Sequence, residues 1–224
     1  MPLQVTIQES LIDRVRLATL SLADLSVRET SASLAAEIED ACRELRDRYR
    51  GQTSGDVPEV AAARQLYKAL GIDPTRRRPS NESLLRRALK AEPLYQINTL
   101  VDSVNLCSLM EQLPYGLYDL AHVVPPVTLR LGADGEGYEG IRKGLVNVAA
   151  RPVLVDGVGP FGNPTSDSLR TSITLATREA LVVIYAPRAL SRAALTRIVA
   201  RTIARVLPHN GGRLVEQQLV PDSE

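Results

Sequence analysis

The sequence changes character at Pro114, and that boundary limits the folds open to the chain. Before it, apolar residues recur mainly at helical spacing. After it, Gly, Pro and β-branched residues separate short apolar runs. In the first part, residues 3–7 and 14–20 alternate as strands do. Residues 33–50 carry an apolar stripe of Leu34, Ile38, Cys42, Leu45 and Tyr49, which predicts a helix. Pro58 suits the first turn of a second helix that runs to about Leu70 and stops at Gly71. The basic, turn-rich loop GIDPTRRRPS follows. Ser80 is then placed to cap a third helix over 81–91, and a fourth spans about 95–113.

In the second part, strands are predicted at 127–131, 145–149, 152–156, 171–176 and 180–186. A helix over 191–207 has Leu195, Ile198, Val199, Ile203 and Val206 on one side, and a last strand covers 212–220. Helices gathered early and strands gathered late predict an α+β fold, with helices packed on a mostly antiparallel or mixed sheet. The expected organisation is one domain over 1–224. Its parts are an N-terminal piece (1–57), a motif-bearing core (58–190) and a C-terminal helix and strand (191–224).

The chain has 224 residues, no Trp and a single Phe, Phe161, so its core must be aliphatic. Cys42 and Cys107 each fall in an apolar helical pattern and are expected as buried free thiols. No apolar run approaches membrane-spanning length, and the N-terminus lacks a signal-peptide pattern, so a cytoplasmic location is expected. A net charge of +1 means that any contact with nucleic acid must use local basic patches.

The fourth helix carries a polar line through an apolar rod. Asn98, Asp102 and Asn105 follow i, i+4, i+7 spacing. A carboxylate and two amides in such a setting must be hydrogen-bonded. Either the fold satisfies them internally, or they face a cavity built for a polar ligand.

Other chemistries find little support. The two histidines, His122 and His209, accompany no G-x-S-x-G elbow, and no cluster has metal-ligand spacing. Residues 132–140 read as a hairpin loop. The stretch 156–171, DGVGPFGNPTSDSLRT, surrounds Phe161 with glycines and prolines and then offers Asp167, Ser168 and Arg170. It reads as a ligand-approaching backbone or as a surface loop satisfying its own turns. Arg76, Arg77 and Arg78, with Arg86 and Arg87 on the next helix, form a basic patch suited to phosphates or to solvent. Arg197, Arg201 and Arg205 read as a solvated face.

Three segments carry a resemblance: RRPSNESLLRRAL, LYQINTLVDSVNLCSLMEQLPYGLYDL and PVLVDGVGPFGNPTSDSLRT. Together they resemble the B3/B4 editing module of the phenylalanyl-tRNA synthetase beta chain in its free-standing form, over about Pro58 to Pro187. No ATP-binding signature accompanies them.

The resemblance implies hydrolysis, in trans, of the ester of a mischarged tRNA bearing a noncognate or non-protein amino acid, with no cofactor and no metal. It places the amino-acid pocket between the polar helix with its turn and the Gly-rich strand–loop. Val101, Asp102 and Asn105 match its V-D-x-x-N stretch, and Pro114 to Asp119 match its turn. Gly116 stands where the synthetase usually has His. Phe161-Gly162-Asn163 correspond to its Gly-Gly-Glu, so Asn163 replaces an acid.

On this footing Asn105, Asp102, Asn163 and Gly162 are the expected catalytic positions. Asn98, Tyr115, Gly116, Phe161, Asp167, Ser168 and Arg170 are expected to line the pocket. Arg76, Arg77, Arg78 and Arg86 would meet tRNA phosphates. The expected partners are aminoacyl-tRNA and, as a second candidate, an aminoacyl-tRNA synthetase. The alternatives are a module that binds an amino acid or the tRNA acceptor end without turnover, and a synthetase-docking domain.

Overall fold

A computed structural model describes residues 3–222. In chain order its elements are β1 (Val5–Ile7), β2 (Val15–Leu25), α1 (Ala32–Arg48), α2 (Ala61–Ala69), α3 (Ser80–Leu89), α4 (Thr99–Glu111), β3 (Tyr115–Asp119) and β4 (Val127–Leu131). They continue with β5 (Gly137–Gly140), β6 (Gly144–Asn147), β7 (Pro152–Val155), β8 (Pro160–Asn163), β9 (Ser166–Asp167), β10 (Ala180–Pro187), α5 (Arg192–Asn210) and β11 (Gly211–Val220). The class is α+β, as the shift at Pro114 predicts.

Two sheets form the centre. An antiparallel sheet runs β11-β2-β10-β3, and a mixed sheet runs β1-β4-β7-β8-β9, with β1 parallel to β4. Strand β10 is buried along its whole length, because both of its faces are covered. Its period-2 alternation feeds two cores. Ala180, Val182, Ile184 and Ala186 meet α4 and α5, whereas Leu181, Val183 and Tyr185 face the mixed sheet. Strand β3 splits likewise, with Tyr115 and Leu117 on the helix side and Tyr118 on the other. An outer layer of α1 and α3 closes over α4 through Leu45, Leu84, Leu85, Leu106 and Leu109. Among the described residues no helix is long and apolar enough to cross a membrane.

Several local expectations are corrected. Pro79, not Ser80, occupies the position before α3, and the Ser80 hydroxyl instead donates to the Pro164 carbonyl at 3.4 Å. The fourth helix starts at Thr99, since Asn98 is extended and caps it. Residues 171–176 form no strand. The following residue closes a turn there: Thr177 Oγ1 accepts from the Thr174 N–H at 2.9 Å and donates to Asp119 Oδ2 at 2.6 Å. The glycine-rich hairpin includes strand β5, which pairs with β6.

Candidate functional site

Two members of the polar line, Asn98 and Asp102, are satisfied locally. Asn98 Oδ1 accepts from the Val101 N–H at 3.0 Å, an N-cap bond. The Asp102 carboxylate reaches back to the Ile97 N–H at 3.0 and 3.3 Å. Burial pushes the Asp102 carboxyl above its usual range, against the pull of the Ile97 and Asn98 backbone. Asp102 borders only a small hollow of about 200 Å³, shared with Gln96 and the start of α1. Asn105 is half-buried on the same helix. Tyr115 turns toward α5, its hydroxyl 2.9 Å from Thr202 Oγ1. Asn98, Asp102, Asn105 and Tyr115 therefore lie on the helix side of the antiparallel sheet, while the Gly-rich segment lies on its other side. The shared pocket expected between them does not form, because both faces of β3 are packed.

The structure does bring Gly116, Phe161, Gly162 and Asp167 together, around a residue that sequence reasoning missed. Tyr118 lies two positions after Gly116 on the same face of β3, and a Cβ at either Gly116 or Gly162 would collide with its phenol. The rings of Tyr118 and Phe161 meet edge to face, with centroids 4.8 Å apart. The Tyr118 hydroxyl lies 3.2 Å from that of Tyr185. Asp167 pairs with Gly162 across β8 and β9. Burial pushes its carboxyl up to about 7, although the Tyr118 hydroxyl and the Leu117 N–H pull the other way. Asp167 Oδ1 is sealed from solvent with no hydrogen-bond partner. Period-2 spacing from Gly116 is the signal that points to Tyr118.

Other expected pocket residues serve the backbone. Asn163 Oδ1 accepts from the N–H groups of Thr165 and Ser166 at 2.8 and 2.9 Å, making the turn between β8 and β9. The Ser168 hydroxyl sits 2.8 Å from that of Thr171. Arg170 grips Asp156 through two bonds of 3.0 and 2.9 Å and also donates to the His122 carbonyl at 2.6 Å. Asp156 accepts three further backbone N–H bonds, from Val124, Val158 and Gly159, and its carboxyl lies below the usual range.

Over this segment opens a concavity of about 340 Å³, lined by Tyr138, Glu139, Pro160, Ser168, Leu169 and Arg170. Its size falls at the small end of ligand sites. Glu139 supplies a carboxylate and Arg170 a guanidinium at its wall. Tyr138 and Glu139 come from β5, which the sequence reading leaves in a loop. Among the described residues no group of three or more His, Cys, Asp or Glu stands together to hold a metal ion.

The B3/4 domain family matches residues 62–205. The chain belongs to the B3/4 domain family. No curated protein sequence matches it. Among solved structures it is similar to an N-terminal fragment of the phenylalanyl-tRNA synthetase beta subunit from Pyrococcus horikoshii, at 13% identity and a TM-score of 0.49. That alignment covers 99% of this chain but only 55% of the fragment, so the chain spans about half the length of that structure.

The matched span of this B3/4 chain also holds the basic residues. Arg76, Arg77, Arg78 and Arg86 are all exposed. Arg76 lies 3.7 Å from Asp73, and Arg78 lies 3.4 Å from Glu82. Burial, and then the charge of Arg77, lower the affinity of the Arg151 guanidinium for its proton. Two of the three arginines singled out on α5 are engaged with acids. Arg201 pairs with Glu111 at 2.7 Å through Nε, and Arg205 with Glu37 at 2.9 Å. Sequence spacing alone could not reveal those acids, which lie on α4 and α1. Both cysteines are free and buried.

Proposed function

We propose that the chain receives the acceptor end of an aminoacyl-tRNA and hydrolyses its ester in trans, the amino acid being noncognate or non-protein. The observation that carries this reading is the concavity beside β8 and β9, lined by Ser168, the residue after Asp167, in a chain of the B3/4 family. Glu139 is suited to the α-ammonium of an amino acid. Ser168 and Arg170, fixed by Thr171 and Asp156, present rigid polar walls.

An aminoacyl ester is already activated, and a positioned water with a proton acceptor suffices to cleave it. Asp167 has the right acidity for that acceptor, because a carboxyl titrating at about 7 is partly ionised near neutrality, and in this reading substrate binding opens its sealed Oδ1 to the concavity beside Ser168. Proton removal would bring the attacking water oxygen onto the ester carbonyl, and the ribose oxygen would leave with a proton. A synthetase remains a second proposed partner, and a single domain over 1–224 the proposed organisation.

The second reading, recognition without turnover, is favoured by a specific observation: Asn98, Asp102 and Asn163 spend their side-chain oxygens on backbone N–H groups. One experiment separates the two. Purified protein is incubated with a panel of mischarged tRNAs, and release of free amino acid is followed. Turnover on at least one pair, lost in Asp167→Asn with the fold intact, supports hydrolysis. Tight binding without release across the panel leaves recognition as the function.

A further inference from the structure

The loop 52–55, α2 and α3 enclose a second concavity, of about 390 Å³, away from the one above. Arg64, Arg78, Arg86 and Lys90 line it, and the acid lining it is Glu82. Glu82 is buried, with 1% of its side chain exposed, and it fixes the guanidinium of Arg64 through two bonds of 2.8 and 2.9 Å. Those bonds use Nε and Nη2. Gly55 lets the loop backbone come against the same guanidinium, since a Cβ there would lie 3.0 Å from Nη2. Arg86 on α3 and Lys90 at its C-cap are exposed, one turn apart, on the wall of the same hollow. Four cations against one buried carboxylate leave a surplus of positive charge in a shaped hollow, which phosphate oxygens would answer.

The surplus does not end at the rim. Arg77 is exposed next to Arg78, and its charge is felt at Arg151. The Ser80 and Tyr67 hydroxyls both donate to the Pro164 carbonyl, which ties this corner to the turn between β8 and β9. Lys143 reaches Ser166 Oγ on that turn at 2.9 Å. Lys143 thus extends the positive charge to the β8–β9 segment, to which Ser80 and Tyr67 tie the hollow's corner.

We propose that the Arg64–Arg78–Arg86–Lys90 hollow holds a phosphodiester of an RNA strand, with Glu82 as the residue that positions Arg64, and that the strand runs on past Arg77 toward the β8–β9 turn. The choice of RNA as the polymer rests on the function proposed above. The hollow itself does not, and uncharged RNA tests it without any ester to cleave.

The probe is bulk uncharged tRNA, titrated by fluorescence anisotropy between about 50 and 200 mM salt. Arg86→Ala/Lys90→Ala removes the two cations outside the Glu82 pairing, so the fold is expected to hold, as a thermal melt will check. That variant is expected to bind about tenfold more weakly, with a salt slope smaller by about two. A control pair, Arg43→Ala on α1 with Arg50→Ala just past its end, neither of which lines the hollow, is expected to leave binding unchanged. Equal binding by the α3 variant and the parent overturns the proposal, and so does an equal loss in the control pair. AMP bound as tightly as tRNA also overturns it, because the site would then be a mononucleotide pocket. Loss in the α3 variant supports it even where no mischarged tRNA is hydrolysed.

Discussion

The phenol of Tyr118 occupies the space in which a side chain on Gly162 would begin. Gly116 faces the same ring from two positions earlier on β3. Both glycines are therefore packing residues, fixed by a buried tyrosine. Gly162→Ala is expected to destabilise the fold by about 1–3 kcal/mol through overpacking, and Gly116→Ala by a similar amount. Combined with Tyr118→Leu, which vacates the space, Gly162→Ala should cost less than the sum of the two single changes. Denaturant midpoints of the four-member cycle measure this. Strict additivity would mean that the ring and the glycine do not share the space.

A second prediction concerns Asp167. Its carboxyl titrates at about 7 when folded, against about 3.9 in an unfolded chain. The folded state therefore binds the proton more tightly, and the unfolded state holds fewer protons between those values. Stability must fall as pH rises from about 4 to about 7 and level off above. Three units correspond to about 4 kcal/mol. Asp167→Asn removes that loss while keeping an acceptor for Tyr118 and Leu117. Its melting temperature should exceed the parent's at pH 8 and match it near pH 4. A constant difference across the range would show that Asp167 is not the titrating group.

How much of this was legible in the sequence depends on the range of the contacts involved. Helices α1, α2 and α5 were readable because their apolar stripes are local. Strands β4, β7 and β10 were readable because their apolar runs are short and bounded by turn residues. The polar line on α4 was read as one helical face, yet Asn98 lies outside the helix and caps it. The i, i+4 spacing of Asn98 and Asp102 is equally the spacing of a cap and an acid that closes the preceding turn. Gly116 and Gly162 were singled out, but the reason they must be small lies in Tyr118, and Gly162 meets it only across space. Asp156, the anchor of Arg170, resembles any loop acid in the sequence, because Val158 and Gly159 are ordinary turn partners and the other two, Val124 and Arg170, come from distant positions.

A third prediction follows from that anchor. The Asp156 side chain is fully buried and paired with Arg170, whose side chain is 31% exposed. Arg170→Ala leaves a buried charge with only its backbone donors, at a cost of about 2 kcal/mol. Asp156→Asn in the same background should recover part of that loss, since the uncompensated charge goes with it. The folded carboxyl lies below the unfolded value. Its contribution is thus present above about pH 4 and lost as pH falls through the folded value. Urea titrations at pH 7 and pH 3 check both points. An Arg170→Ala penalty that persists undiminished at pH 3 would exclude the ion pair as its cause.

Asn98 and Asp102 provide the fourth prediction, and it bears on mechanism. If they act as the start of α4, their loss must appear in stability. Asn98→Ala removes the acceptor for the Val101 N–H and should cost about 1 kcal/mol. Asp102→Ala strips the Ile97 N–H of its partner but also removes a carboxylate that burial disfavours, so its net cost should be no larger. In both variants ester hydrolysis, assayed well below the melting temperature, should keep the parent kcat. Asp167→Asn should lose it. The opposite pattern, an inactive Asp102→Ala with an unchanged melt, would move the chemistry back to the helix side of the sheet and the hollow of about 200 Å³ that Asp102 borders.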